Sequence, residues 1–313
     1  MKYQKPLSAN IVPNMRRLFF SKGAITTGSV TEYFSDVSGG KISLIGDVLG
    51  PYTLPQKMEY YANGDWGMSL GPNQPNCRTM ASDTAKILDQ KGIDMAPYDN
   101  VTRKNGYVDG FIIVHAGTEI LTSQKKSEIW AHKWTISDNE YLEVGKSKTK
   151  VFSYMTVAED VSVGVAAHEF GHLVFGWPDL YDVFYATDGI GAWCLMSWGC
   201  HNKIGDAARG TTPAHPSAWC KLQQGWVDAI EDDVNGYIDL NDVKAQWPKT
   251  INANRFGYIH KLWPNGQASG QEYFLIENRF RSGYDRSLPG DGLLSKSSDF
   301  PCSIYFVRSA DDE

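Results

Sequence analysis

Residues 163–182 read VGVAAHEFGHLVFGWPDLYD, and this segment carries the clearest signals of structure and chemistry in the sequence. The first part of it is apolar or small except for a His-Glu-x-x-His motif at 168–172, and a glycine and a proline follow. Apolar runs of this length that stop at glycine are typical of buried helices. The sequence therefore predicts a buried helix over 163–175 that ends at Gly176.

The motif inside this helix indicates a metal site. Side chains four residues apart lie one turn apart on the same helix face, so His168 and His172 can bind one metal ion together. Glu169 then projects beside the ion, where it can act on a metal-bound water. The alternative is a pair of core histidines, but a glutamate between them in an apolar helix is costly unless it has a partner. The helix context therefore favours metal binding.

A third protein ligand must come from outside the motif. One source would be a glutamate on a later helix, but none occurs between Glu169 and Glu231. The other source is the segment after Gly176, where the chain can turn back and where Asp179 comes first and Asp182 second. These two aspartates can also belong to a solvated acidic turn or a calcium site. The choice between them stays open at this point.

The rest of the chain predicts an α/β organisation before the helix at 163–175 and an irregular one after it. Helices are expected from capping residues and apolar spacing, and strands from alternating or continuous apolar runs. The predicted helices cover 29–36, with Ser29 as N-cap, 80–91 and 216–224; the predicted strands cover 41–46, 111–115, 128–136, 150–157 and 273–276.

Composition excludes several classes of protein. The 313 residues carry a net charge of −6 and are 42% hydrophobic, which fits a globular protein and argues against a nucleic-acid binder. No apolar run approaches the roughly 20 residues of a membrane span. Five cysteines form no obvious disulfide framework, although Cys194 and Cys200 could pair across a turn. The first residues lack an apolar signal region, so we expect a cytosolic protein or a start that is not native.

Three segments of the central region resemble the immune inhibitor A-like secreted metalloproteases, relatives of the metzincin clan. They are HEFGH at 168–172, GWPDLYD at 176–182 and WCLMS at 193–197. Further similar segments extend the resemblance over about 28–294: GYVDGFIIVHAG at 106–117, EIWAHKW at 128–134, TPAHPSAW at 212–219 and EYFLIENR at 272–279.

The resemblance implies a fold and a set of site residues. The fold is a metzincin-like zinc metalloprotease domain with a mixed twisted sheet, an active-site helix and an irregular C-terminal part after a methionine-containing turn. Carried over to this chain, it implies His168, His172 and Asp179 as zinc ligands and Glu169 as general base. Met196 is then the methionine of the turn beneath the metal.

The resemblance also implies a mode of substrate binding and an extracellular location, although no signal peptide is visible. The segment with Trp130 and His132 is similar to the family's substrate-edge strand, which suits protein or peptide substrates. We expect a monomer. The segment 99–109 resembles a calcium loop, but Arg103 and Lys104 replace expected carboxylates, so calcium stays possible but unsupported.

The sequence thus predicts a zinc-dependent endopeptidase that hydrolyses peptide bonds through a metal-activated water and a glutamate base. The alternative is a truncated, catalytically incompetent zinc-binding relic. The ends of the chain favour that alternative: it begins where the family has already completed a propeptide and a first strand, and a polar run at 295–299 replaces an expected apolar strand. A third departure, three residues rather than two between His172 and Gly176, concerns the third ligand, Asp179. We therefore divide the chain into an N-terminal remnant at 1–27, a catalytic domain at 28–294 and an atypical tail at 295–313. His115 and His215 are expected to be mainly structural.

Overall fold

The computed structural model describes residues 9–71, 74–100, 104–184, 186–232, 259–263, 272–297 and 304–307. The α-helices in these ranges are, in chain order, α1 (Ile11–Phe20), α2 (Val30–Val37), α3 (Met58–Ala62), α4 (Cys77–Gln90), α5 (Ile120–Ser123), α6 (Val163–Phe175) and α7 (Ala218–Gln223). The β-strands are β1 (Ile112–His115), β2 (His132–Thr135), β3 (Leu142–Val144), β4 (Thr149–Val151), β5 (Ser153–Ala158), β6 (Ala229–Asp232), β7 (Ile259–Leu262), β8 (Phe274–Arg279), β9 (Gly292–Ser297) and β10 (Ile304–Val307).

The chain divides into two compact units. The first unit takes the described residues of 1–18, 46–161 and 169–176, and the second takes those of 19–45, 162–168 and 177–313. Helix α6 is one continuous element that contributes residues to both units. The domain boundaries predicted from the sequence, after residues 27 and 294, rest on the family resemblance rather than on compactness. They stay a prediction.

The first unit contains a three-stranded mixed sheet in the order β1-β5-β2. Strand β5 pairs in parallel with β1 and antiparallel with β2, which confirms the expectation of a mixed sheet. The predicted strand at 150–157 is interrupted at Phe152, so that its first part, in β4, pairs with β3 instead. The predicted strand at 128–136 begins only at His132.

Helix α4 packs its apolar side chains into the core of the first unit. It begins three residues before the predicted start at 80, because Asn76 caps it: the side-chain oxygen accepts hydrogen bonds from the N–H groups of Arg78 and Thr79. Buried residues of α4, such as Met80 and Leu88, contact the same core as Ile113 of β1.

Helix α2 belongs to the second unit and has the start that the sequence predicts. The Ser29 hydroxyl accepts from the N–H of Glu32, and the Glu32 carboxylate accepts from the N–H of Ser29. The strand predicted at 41–46 is wrong. Both backbone groups of Leu44 bond to the hydroxyl of Thr31 at 3.2 Å, so a side chain of α2 takes the place of a neighbouring strand.

A five-stranded sheet in the second unit corrects the expectation of an irregular C-terminal part. Between α6 and α7 the described residues are irregular, apart from two short 3₁₀ turns. The sheet that follows has the order β10-β9-β8-β7-β6, with β6 and β7 parallel and the other pairs antiparallel. Strand β9 continues through the polar residues to Ser297 because β8 and β10 pair with it on both sides.

Helix α6 has the bounds that the sequence predicts. At its start the Ser162 hydroxyl accepts from the N–H of Val165, and at its end Gly176 adopts a left-handed conformation with φ of +67°. In its first turn, Gly164 donates its N–H to the carbonyl of Gly210 and lies against the backbone of Cys200. A side chain at 164 would overlap the Cys200 carbonyl, so the helix needs a glycine there.

Membrane-spanning helices and disulfides were both considered from the sequence. In the described ranges, none of the helices is long and apolar enough to cross a membrane. Four of the five cysteines lie in those ranges, and all four are buried free thiols, so Cys194 and Cys200 do not pair. Cys302 lies outside the described residues.

We expect Gly164→Ala to lower the free energy of unfolding by about 2–3 kcal/mol, because its Cβ would displace backbone of residues 200 and 210. Urea denaturation measures the change. Gly110→Ala is the matched control, because its Cβ would meet only Leu173 at 3.9 Å and should change stability by less than about 1 kcal/mol. Equal stability of the two variants would contradict the close approach.

Candidate metal centre

Two histidines and one aspartate converge at the C-terminal half of α6. One ligand atom from each of His168, His172 and Asp179 lies within 4.8 Å of the others. The histidines are one turn apart on α6, and the left-handed Gly176 turns the chain so that Asp179 comes back towards them. No other group of three such side chains is present in the part of the chain that the structure describes.

The imidazole of His168 is oriented by the backbone of a later turn. Its Nδ1 lies 2.9 Å from the carbonyl oxygen of Leu195, and because a carbonyl only accepts, Nδ1 carries the proton. The other nitrogen, Nε2, is then the one with a lone pair, and it lies 3.2 Å from Oδ1 of Asp179. Both atoms are electron donors facing the same point.

This donor set fits zinc. Two nitrogens and one carboxylate oxygen are ligands that zinc takes in catalytic sites. Two atoms bound to one zinc ion at about 2.0–2.1 Å in tetrahedral geometry lie about 3.4 Å apart. The distance of 3.2 Å between Nε2 of His168 and Oδ1 of Asp179 is close to that separation.

Asp182, the other aspartate considered as a ligand, is engaged elsewhere. Its carboxylate accepts hydrogen bonds from the N–H groups of Phe184, Ala186 and Thr187 and from the Thr187 hydroxyl. The bond from Phe184 is the largest cause of its lowered pKa, with the other donors adding to it. Asp182 therefore shapes its own loop, and the structure brings Asp179 rather than Asp182 to the two histidines.

The segment 194–197 contacts the chain on both sides of the cluster. Besides the bond from His168 to Leu195, the carbonyl of Met196 accepts the N–H of Leu180, next to Asp179, at 2.7 Å. Met196 itself is fully buried. The family resemblance implied a turn at Met196, but the part played by the Leu195 carbonyl was missed, because a backbone acceptor has no sequence signature.

Glu169 follows His168 on α6 and is 5% exposed. It is thus a buried carboxylate directly after one candidate ligand, His168, and three residues before another, His172. The candidate ligands come from α6 and the turn after it, so the candidate site is built from one helix and the segment that follows it.

Strand β2, the predicted edge strand, lies at an edge of its sheet among the described residues. His132 and Trp130, the two residues predicted to contact a substrate there, differ in exposure. In the described residues β2 pairs only with β5. His132 is buried, with Nδ1 2.7 Å from the Trp130 carbonyl and Nε2 3.2 Å from the Tyr154 hydroxyl. Burial lowers the pKa of His132 to about 4, so the ring is neutral at pH 7. Trp130 is exposed and stands edge-on to Trp66.

The remaining polar residues from the sequence analysis have local structural partners. His115 is buried with Nδ1 3.0 Å from the Ala116 carbonyl, and His215 is buried with Nε2 3.6 Å from Asp36. In the loop that resembles a calcium site, the Asp99 carboxylate accepts the N–H groups of residues 105 and 106. Arg103 of that loop lies outside the described residues, whereas Lys104 lies within them.

Comparisons with a family model and with known proteins point to the same peptidase family. The family model of the immune inhibitor A peptidase M6 catalytic domain matches residues 17–227. Immune inhibitor A of Bacillus thuringiensis subsp. alesti is 30% identical over 264 residues, which cover 71% of this chain and 38% of that protein. Pre-pro-metalloprotease PrtV of Vibrio cholerae serotype O1 (strain M66-2) is 28% identical over 258 residues, 71% of this chain and 26% of PrtV. The chain thus spans well under half the length of these relatives.

The buried neutral His132 predicts a pH dependence of stability. Its pKa is about 4 in the folded chain and about 6.5 when unfolded, so the unfolded chain binds one more proton between these values. The free energy of unfolding should therefore fall by about 2–3 kcal/mol more between pH 7.5 and 4.5 in the parent than in His132→Gln. Urea titrations at both pH values measure this difference, and identical pH dependence in the two proteins would contradict it.

Proposed function

Because the chain belongs to the immune inhibitor A peptidase M6 family, we propose that it is a zinc-dependent endopeptidase with His168, His172 and Asp179 as its metal ligands. The observation that carries the proposal is the convergence of these three side chains within 4.8 Å. The family match, which includes all three, supports it. The one-residue-longer segment between His172 and Gly176 is compatible with this convergence, since the left-handed turn at Gly176 returns Asp179 to the helix.

Zinc is the metal that we propose, on the basis of the donor set. When bound, a zinc ion would act as a Lewis acid on the substrate carbonyl and would lower the pKa of its bound water to about 7. His168 contributes Nε2, because its Nδ1 proton is held by the Leu195 carbonyl. Met196, buried in the turn at 194–197, would support the site from the side of that turn.

Glu169 is proposed as the general base. It would take a proton from the attacking water and deliver the proton to the leaving amine. Its burial supports this role, because carboxylates that act as acids or bases are typically held in desolvated sites. Its position beside His168 places it in the same turn of α6 as one ligand.

Proteins and peptides are the proposed substrates. Strand β2 leaves one side without a partner strand among the described residues, and an extended peptide can add to such an edge through backbone hydrogen bonds. The His132 ring is engaged by Tyr154, which leaves Trp130 as the exposed side chain for contact with a substrate. An extracellular location is proposed by analogy with PrtV, whose name describes a pre-pro-metalloprotease. The monomeric state stays a prediction.

Cleavage of casein tests the proposed function. We expect the parent to cleave casein and a zinc chelator to abolish cleavage. Glu169→Ala should retain zinc, while its cleavage rate falls by about 10²- to 10⁴-fold. Glu143→Ala, a change of an exposed glutamate on β3, serves as the control and should cleave as the parent does. Undiminished cleavage by Glu169→Ala would sink the mechanism. Zinc binding without cleavage in the parent would instead favour the non-catalytic relic.

The third ligand has its own test. We expect Asp179→Ala to weaken zinc binding by about 100-fold or more, since loss of even an outer partner costs 10- to 100-fold. Asp182→Ala is the matched control: its carboxylate bonds within its own loop, so zinc affinity should change less than about threefold. Competition with a chromophoric chelator measures both. A larger effect at residue 182 than at residue 179 would reverse the assignment.

A further inference from the structure

A buried group of charges lies in the second unit, on β8 and the 3₁₀ turn that follows it. The Arg279 side chain is 2% exposed, and its guanidinium contacts two carboxylates. Nε and Nη2 donate to the two oxygens of Asp285 at 2.7 and 2.6 Å, and Nη1 donates to Glu277 at 3.2 Å. Burial raises the pKa of Asp285, but the charge of Arg279 outweighs it and holds the pKa at about 2, so Asp285 is ionised at neutral pH.

This group also holds backbone from two other segments. Nη1 of Arg279 donates to the carbonyl of Trp193 at 3.1 Å. The Asp285 carboxylate accepts the N–H of His215 at 2.9 Å. A buried guanidinium and a buried carboxylate thus fix two stretches of irregular chain, one just before Met196 and one just before α7.

The two segments in turn bond to each other and to the metal ligand. The N–H of Leu195 donates to the carbonyl of His215 at 3.2 Å, and the carbonyl of Leu195 accepts from Nδ1 of His168 at 2.9 Å. Three hydrogen bonds therefore connect Asp285 to His168 through the backbones of residues 215 and 195. The connection is positional, because the N–H and C=O of one residue belong to different peptide units.

We infer that the buried Arg279–Asp285 pair is a positioning device for His168, acting through the backbones of His215 and Leu195. The inference rests on the proposed function, since it gives His168 a metal to hold. Both charged residues lie beyond the 17–227 range that the family model matches. The reason for the device is geometric: a ligand held by one backbone carbonyl is only as well placed as the segment that carries the carbonyl.

The test compares two substitutions in the same buried group. Arg279→Lys keeps the positive charge, but an ammonium with three donors cannot reproduce the fork that reaches Asp285 and Trp193 together. Glu277→Gln is the matched control, because it changes the charge of the group while the contacts to residues 193 and 215 remain. Zinc affinity, the visible spectrum of the Co²⁺-loaded chain and the thermal midpoint are measured for each.

We expect Arg279→Lys to weaken zinc binding by about tenfold and to alter the Co²⁺ spectrum. Glu277→Gln should keep the parent's zinc affinity and Co²⁺ spectrum, even if its thermal midpoint falls as far as that of Arg279→Lys. Equal affinities and spectra in both variants would overturn the inference while leaving the proposed function intact. A parent that binds no zinc would overturn both.

A second variant covers the case in which Arg279→Lys does not fold. Asp285→Glu keeps the charge but moves the carboxylate by one methylene group, and it should weaken zinc binding in the same way. Failure of both variants to fold would mean that the pair serves the whole unit rather than the ligand, and would also overturn the inference.

Discussion

The hydrogen bond from Nδ1 of His168 to the carbonyl of Leu195 is the contact on which the rest of the site depends. It selects the tautomer and turns Nε2 towards Asp179, 3.2 Å away. Without it the imidazole could rotate, and the three candidate ligands would no longer face one point. The bond in turn requires that residues 194–197 stay in place, which the buried charges of Arg279 and Asp285 secure from a distance.

Two glycines allow close backbone packing at the ends of α6. Gly164 allows the Cys200 backbone to approach the first turn of the helix, and Gly176 lets the chain reverse directly after the last turn. Between these two glycines the helix carries the whole His-Glu-x-x-His motif. The candidate ligands are therefore close together in sequence, although the carbonyl that orients His168 comes from Leu195, further along the chain.

The sequence predicts the elements that neighbouring residues determine, and it misses the contacts that depend on residues far apart in the chain. The bounds of α6 and the cap at Ser29 follow from neighbouring residues, and both predictions are confirmed. The strand at 41–46 was wrong because alternation cannot reveal that Thr31 satisfies the Leu44 backbone. The roles of the Leu195 carbonyl and of Arg279 depend on contacts between distant segments, which no local pattern encodes.

X-ray absorption at the zinc edge identifies the atoms bound to the metal, and so it tests whether His168, His172 and Asp179 hold zinc. For the zinc-loaded chain we expect two imidazole nitrogens and carboxylate or water oxygens at about 2.0–2.2 Å. The proposed ligand set also predicts that one imidazole disappears from the spectrum of His172→Ala. Sulfur at about 2.3 Å, which would indicate a cysteine ligand, or a spectrum unchanged by His172→Ala, would contradict it.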